Sequence, residues 1–410
     1  MISPFLHMLE RLLDQKSWDE FLKAKLDNEY ASAFLIRSFR KILKKGDYKK
    51  ICDELVNGSY AFSIPRKHVI SKNSSAKRRI VYSYTPEEML VMKHISYLLY
   101  DYDYLFGKNL YSFRKKTGVK TAIKYIQRKK DLNKLYGYKL DISNYFNSID
   151  IDIFLEDLKK ELPDDIYSLY QNLYKNDDVI FRKQIIREAK GAMAGMPLSA
   201  FAANFYIRKI DEFFFNEKVL YLRYADDIIF FTKTKEDREK YSQMLINLLA
   251  EKKLKVNHEK ETFIEPNEGF EFLGFSIHEN RIDISKHSKQ KIKAKIKRQA
   301  RRIRKWCIEK NLPFEKGLIA INKKFNKKFY GKSNDETSWT YWYFPLINVT
   351  DSLKEVDLYF QQEQRYLVSG KHNKRNYRKC PYEKLKEHGY RPLVHEYYKF
   401  FNGEIITEDK

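Results

Sequence analysis

Two places in this chain put carboxylates where they could do chemistry. One is Tyr224-Ala225-Asp226-Asp227, flanked by the apolar runs Val219–Leu222 and Ile228–Thr232. Strand, tight turn and strand make a hairpin with two negative charges at its tip. Adjacent aspartates between apolar flanks repel each other unless a cation binds them, and hard oxygen ligands of this kind suit Mg2+. A solvated turn would also accommodate the four residues, so they need a partner. Asp141 supplies one. It ends a short apolar strand within Lys139–Phe146, just before a helix, where it could equally serve as an N-cap. Two Mg2+ ions about 4 Å apart need bridging carboxylates from at least two strands, one ion activating the attacking oxygen and the other supporting the leaving oxygen. Asp141 with Asp226 is that minimum, and the chemistry would be phosphoryl transfer.

The elements that must hold these groups follow from periodicity. Residues 5–55 read as helices, with Phe5, Met8, Leu9, Leu12 and Leu13 at helical spacing. Residues 60–85 read as a hairpin, Tyr60–Ile64 paired with Arg78–Tyr84 around a basic centre. Pro86-Glu87-Glu88 starts a helix running to Tyr100. Strand is predicted over 138–143, helix over 151–175, a strand pair over 179–187 and helix over 198–216. The charged hairpin over 219–232 is followed by helix over 236–253 and strands over 260–264 and 270–277. From Ser285 to Lys305 there are eleven Lys or Arg and no acid, while Ile292, Ile296, Ala300 and Ile303 keep a helical stripe. This order, rich in antiparallel hairpins, predicts an α+β palm with attachments rather than a parallel α/β sheet.

The 410 residues suffice for two or three subdomains. A net charge of +24 is a statement about partners, and nucleic acid leads because each neutralised phosphate releases a counterion. A membrane surface is the alternative. Against it, no signal peptide is visible, and the longest uncharged stretch, Ala192–Ile207, is too short to span a bilayer and holds Pro197. Cys52, Cys307 and Cys380 match no zinc spacing and fit a reducing cytosol.

Taken in order, these blocks resemble the motifs of reverse transcriptases. Lys139–Phe146 is similar to motif A and Tyr224–Asp227 to motif C. Gly191-Ala192-Met193-Ala194-Gly195-Met196-Pro197-Leu198-Ser199, continuing to Tyr206, resembles motif B of the bacterial and group II intron branch. Leu254–Thr262 resembles motif D, and Phe272-Leu273-Gly274-Phe275 motif E, the primer grip. Upstream, Lys77-Arg78-Arg79-Ile80-Val81 resembles the basic finger hairpin, and Tyr111-Ser112-Phe113-Arg114 the block after it. The match spans roughly residues 60–280, and its joint order is far more specific than any single motif.

The resemblance implies a right-hand polymerase fold. Residues 1–108 would be N-terminal helices and fingers, 109–150 and 197–284 the two parts of the palm, 151–196 a fingers/palm insertion, and 285–410 a helical thumb with a C-terminal RNA-binding region. It implies an RNA-directed DNA polymerase in which Asp141, Asp226 and Asp227, with the Ile142 carbonyl, hold two Mg2+ (Mn2+ as substitute). Phe146 stands where the family places its sugar gate, beside Asn144 and Tyr145. Lys77 and Arg79 would clamp the incoming dNTP. Gly191, Gly195 and Pro197 make a turn that lets backbone approach nucleotide and template, and Lys260 would protonate the leaving pyrophosphate. Tyr224, Leu273, Gly274, Phe275, Lys293, Lys297 and Arg301 would meet primer and template, with Gly274 read as a strand residue. Trp339–Phe344 is either an RNA-facing aromatic cluster or helix-bundle core, and Lys371–Tyr377 suits RNA loops. Two positions depart from the family pattern: Ala194 stands where Gln is usual, and Ala200 where Pro is usual. No integrase, protease, RNase H or endonuclease block is visible.

The segment Tyr382–Phe400 looks most like the type 2 group of bacterial defence-associated reverse transcriptases. That subgroup implies a bacterial cytoplasmic enzyme that copies a structured non-coding RNA, repeatedly, into cDNA in anti-phage defence. Two alternatives stay open: a template-independent or protein-primed DNA polymerase on the same palm, and a non-enzymatic maturase-like RNA-binding protein.

Overall fold

The strand ending at Asp141 and the hairpin carrying Asp226 lie in one sheet. In the computed structural model, which describes residues 8–26, 33–71, 78–331 and 338–403, eleven strands are present: β1 (Arg66–Ser71), β2 (Arg78–Ser83), β3 (Tyr136–Asp141), β4 (Asp178–Phe181), β5 (Gln184–Arg187), β6 (Leu220–Tyr224), β7 (Asp227–Thr232), β8 (Thr262–Ile264), β9 (Phe270–Phe272), β10 (Phe275–His278) and β11 (Arg281–Ile284). The sheet that matters most has the antiparallel order β6-β7-β3-β8. Every residue of β7 after Asp227 is buried, so this strand needs cover on both faces. The helices Arg208–Asn216 and Lys235–Glu251 pack on this sheet. Phe214 stacks on Tyr221 with centroids 4.7 Å apart and on Phe230 at 5.5 Å. Gly137 in β3 makes room for a crossing ring: a Cβ there would come 2.8 Å from Phe231.

The chain forms two compact units, Met1–Pro266 and Asn267–Lys410. In the first, a second sheet runs β2-β1-β4-β5. The expected hairpin is present with its first arm moved: the strand is Arg66–Ser71, not Tyr60–Ile64. The reason is Glu88. Its carboxylate accepts from the Tyr60 hydroxyl at 3.0 Å and from the Ser63 N–H and Oγ at 2.7 and 2.6 Å, which holds that segment against the helix Pro86–Leu98. The same carboxylate closes a capping box with Thr85. Burial alone would raise the Glu88 pKa, but the hydrogen bonds from Ser63 and Thr85 outweigh it and bring it below the ordinary range. Two helices expected to be continuous are broken. The 151–175 segment divides into Ile151–Glu161 and Asp164–Tyr174 at Leu162-Pro163, where proline cannot donate to a preceding turn. The 198–216 segment divides at Ile207 into Ser199–Tyr206 and Arg208–Asn216.

The second unit pairs a meander, β9-β10-β11, with helices Lys286–Glu309, Phe314–Tyr330, Asp351–Ser369 and Leu393–Phe401. The basic helix buries Ile292, Ile296, Ala300 and Cys307 as its inner stripe. Trp339 and Phe344 are buried, so the aromatic segment is core. Gly274 is not within a strand. It closes the β9–β10 turn with Leu273, both left-handed (φ +89 and +50), the geometry of a type I′ hairpin. All three cysteines are buried and free. Among the described residues no helix is long and apolar enough to cross a membrane.

One buried ion pair ties the first unit's sheet to its surroundings. Arg223 of β6 and Asp211 are both fully buried, with Nε donating to Oδ1 at 2.7 Å and Nη2 to Oδ2 at 2.5 Å. Arg223 also donates to the Asn204 carbonyl at 3.1 Å, and Tyr221 donates to Asp211 at 3.0 Å. On the neighbouring segment, Ser112 Oγ donates to Asn204 Oδ1 at 3.1 Å, and Asn204 Nδ2 returns a bond to the Ser112 carbonyl at 2.8 Å. Removing one member of a buried pair leaves the other charge uncompensated, so Asp211→Asn is expected to lower unfolding free energy by about 3–5 kcal/mol. Ser112→Ala, which strands a buried amide, should cost about 1–3 kcal/mol. Urea denaturation monitored by circular dichroism measures both. An Asp211→Asn variant as stable as the parent would show that the pair does not hold the sheet.

Candidate active site

Strand register brings the expected carboxylates together. Asp141 at the end of β3 lies directly opposite Asp227 at the start of β7, and Asp227 pairs in turn with Tyr224 at the end of β6. Ala225 and Asp226 are therefore the two-residue loop of the hairpin. Ala225 is left-handed (φ +56), a conformation that costs an alanine about 1–2 kcal/mol. The turn is held from three sides. The Ala225 N–H donates to Ser112 Oγ at 2.8 Å, Arg223 Nη1 reaches the Ala225 carbonyl at 3.5 Å, and the Ile142 N–H donates to the Asp226 carbonyl at 3.1 Å. The buried network around Arg223 thus ends on the backbone of the charged tip.

The charges at this tip are not balanced by one another. Burial and then the neighbouring Asp141 raise the Asp226 pKa, while Lys260 and Arg79 pull it down. Asp227 is pushed up to about 6, first by burial and then by Asp226. Asp141 itself is buried and takes a bond from Lys260 Nζ at 2.6 Å, with Asn257 Nδ2 at 3.4 Å from its other oxygen. Among the described residues, no three His, Cys, Asp or Glu side chains converge into a metal-sized cluster. A lysine, rather than a third carboxylate, neutralises Asp141 here. The donor set still fits a divalent ion: carboxylate oxygens are hard ligands, and burial and the neighbouring carboxylates make Asp226 and Asp227 resist ionisation, a cost that a bound cation would relieve.

Around the tip stand several other expected residues. Phe146 is half-buried, its ring 5.9 Å from Phe113, which lies 6.4 Å from Tyr224. Asn144 is left-handed at the start of the short helix Tyr145–Ser148, and Tyr145 is buried with its hydroxyl on the Ala203 carbonyl. At Gly191 a Cβ would come 2.6 Å from the Asn147 backbone, so the turn packs tightly against the protein here. Gly195 likewise nests 3.3 Å from Val81 and Tyr82. Ala194 is pinned at both backbone ends, its N–H on Asn147 Oδ1 and its carbonyl receiving the Tyr82 N–H, each at 2.9 Å. Arg79 is exposed, and Lys77 lies outside the described residues. In the second unit, Lys293 joins Lys289 on Glu355, both at 2.6 Å, while Lys297 and Arg301 are exposed on the same helix. Phe275 is buried against Tyr343 at 5.3 Å.

Of the residues that support the site, Ser112, Phe113 and Asn204 stand in the blocks quoted from the sequence with no task assigned to them, while Asp211 and Arg223 were missed. The signal for one was present, since an arginine in an otherwise apolar strand demands a buried acid, but its partner is remote in sequence.

Linkage gives a direct test. The Asp227 pKa is raised in the folded protein, so the native state loses stability as pH climbs from about 3.8 to about 6 and carries the whole penalty above that. Asp227→Asn should therefore stabilise the metal-free protein at pH 8 by roughly 1–3 kcal/mol, with the gain vanishing near pH 4. Thermal melts in chelator at both pH values read this out, and adding Mg2+ should raise the parent's Tm more than the variant's. A gain equal at both pH values would contradict the electrostatic account.

No curated protein matches the chain. Among solved structures, the chain is similar to apo telomerase from Candida tropicalis truncated from its C-terminal domain, at 16% identity, with 55% of each chain covered and a TM-score of 0.43. It is also similar to apo telomerase from Candida tropicalis at 12% identity, covering 83% of this chain and 64% of that one, with a TM-score of 0.45. The chain thus spans between half and two thirds of the length of these telomerases. Residues 70–277 match the family described as reverse transcriptase (RNA-dependent DNA polymerase). That stretch is half of the chain and contains Asp141, Asp226 and Asp227, so the protein belongs to the reverse transcriptase family and has its α+β right-hand fold.

Proposed function

We propose that this protein is an RNA-directed DNA polymerase. The observation that carries the reading is the register of β3 on β7, which sets Asp141 opposite Asp227 beside a turn bearing Asp226. Asp141, Asp226, Asp227 and the Ile142 carbonyl would hold the divalent ions, Mg2+ by preference, and the ions would supply activation of the primer 3′-hydroxyl and neutralisation of the phosphates. The protein's own groups do the rest. Arg79, whose charge already reaches Asp226, binds the triphosphate together with Lys77. Phe146, flanked by Phe113, crowds the 2′ position and favours a deoxynucleotide. Lys260, which bonds Asp141 in the metal-free protein, would be freed from that carboxylate by a bound ion and would give its proton to the leaving pyrophosphate. Leu273, Gly274 and Phe275 grip the primer, and Lys297 and Arg301 on the basic helix hold the duplex by its phosphates.

The finer reading is that the template is one structured non-coding RNA, copied into cDNA, possibly concatemeric, in bacterial anti-phage defence. The resemblance of Tyr382–Phe400 to the type 2 defence group supports it. Purification from the host, followed by sequencing of bound RNA and cDNA, tests both levels. We expect one discrete RNA and its cDNA, with the RNA retained and the cDNA absent in Asp226→Ala. A random transcript pool would overturn the dedicated template, and cDNA persisting in Asp226→Ala would overturn the polymerase centre.

A further inference from the structure

A second cationic surface lies outside the groups used above. From Lys108 to Lys130 the chain carries nine Lys or Arg and no Asp or Glu. Within it the helix Val119–Gln127 buries Val119, Ala122, Ile123 and Ile126 and turns its remaining residues outward. The outward residues close a cavity of about 530 Å3, lined by Lys108, Tyr111, Thr121, Lys124, Tyr125 and Arg128 among others, and by no carboxylate. Arg114, also in its wall, is already matched. It holds Asp103 through two bonds of 2.8 Å and adds its charge to no other acid. Lys108, Lys124 and Arg128 have no carboxylate within 4 Å among the described residues. Three uncompensated cations around one concavity repel each other, and the arrangement is stabilised by an anion that enters it.

The form of the cavity says which anion. Lys124 and Arg128 are one helical turn apart, about 6 Å along the axis, close to the spacing of successive phosphates on a strand. Tyr125 keeps 36% of its surface exposed and stands 6.2 Å from Tyr111, offering ring surface beside the cations, the combination that single-stranded nucleic acid uses. The cavity also adjoins the carboxylate hairpin. The Tyr111 N–H donates to the Arg223 carbonyl at 2.9 Å, and the next residue, Ser112, holds Ala225. We propose that this cavity binds the phosphodiester backbone of a single-stranded RNA segment adjacent to the part being copied, as an anchor with no role in the chemistry. The word "copied" rests on the polymerase reading; the binding does not.

The test uses the full chain and fluorescence anisotropy with a short single-stranded RNA and a DNA of the same sequence, across a salt series. In Lys108→Gln/Lys124→Gln/Arg128→Gln we expect RNA affinity to fall about tenfold at physiological salt and the slope of log K against log salt to flatten by ~2, since each lost single-strand phosphate contact is worth ~0.7. The charge-preserving Lys108→Arg/Lys124→Arg/Arg128→Lys should bind as the parent does. Equal losses on RNA and DNA support recognition of the phosphates, and a larger loss on RNA adds contact to the 2′-hydroxyl. Unchanged RNA affinity and slope in the Gln variant would overturn the proposal, as would a loss confined to DNA or shared by the charge-preserving variant. Primer extension by the parent protein is scored separately, so failure of the polymerase reading stays distinguishable from failure of the anchor.

Discussion

The pairing of β3 with β7 is the constraint on which the rest depends. Because side chains alternate along a strand, a slip of one residue would send Asp141 to the opposite face from its partner. The register is fixed from both sides. Gly137 accepts the Phe231 ring where no larger residue fits, and the apolar run Ile228–Phe231 is buried throughout. Holding the register brings like charges together, which works against folding. The protein offsets this with a fully buried Arg223–Asp211 pair whose remaining donors end on the carbonyls of Ala225 and Asn204. The charged turn is thus stiffened by a network that touches no substrate.

Much of this was legible in the sequence, and the reasons differ by element. The hairpin at 219–232 announced itself because two apolar, β-prone runs, a short turn and paired acids coincide in fourteen residues. The helix after Thr85 did so through its proline and acids. What failed to show was anything set by a remote partner. The first arm of the basic hairpin moved because Glu88 captures Tyr60 and Ser63. Gly274 read as a strand residue, yet it closes a turn whose other half, Leu273, has no turn signature of its own. The contact of Gly191 with the backbone of residue 147 also gave no sign in the sequence. Asp211 gave no sign of its task, since only the fold brings it to Arg223.

The charge distribution has a matching logic. The paired aspartates of one turn sit in a chain of net +24 whose 55 acidic residues are otherwise spread along its length. Positive charge is spread over the strand β2 that carries Arg79, the segment 108–130 and the helix Lys286–Glu309. Long-range attraction brings a polyanion to the surface, while the acidic turn repels it unless cations intervene. On the proposed reading, binding and chemistry are under separate control: the basic faces would hold nucleic acid without metal, and the carboxylate turn would require it. The Lys260–Asp141 contact at 2.6 Å fits this division, a protein cation resting where a metal would be needed.

Primer extension is the most direct measurement. Given an RNA template, a DNA primer, dNTPs and Mg2+, the parent protein should extend the primer, while Asp141→Asn and Asp226→Asn should bind the same primer–template with unchanged affinity and add no nucleotide. Extension by either variant at a rate near the parent's would contradict the account, because it would place the chemistry somewhere other than the paired strands.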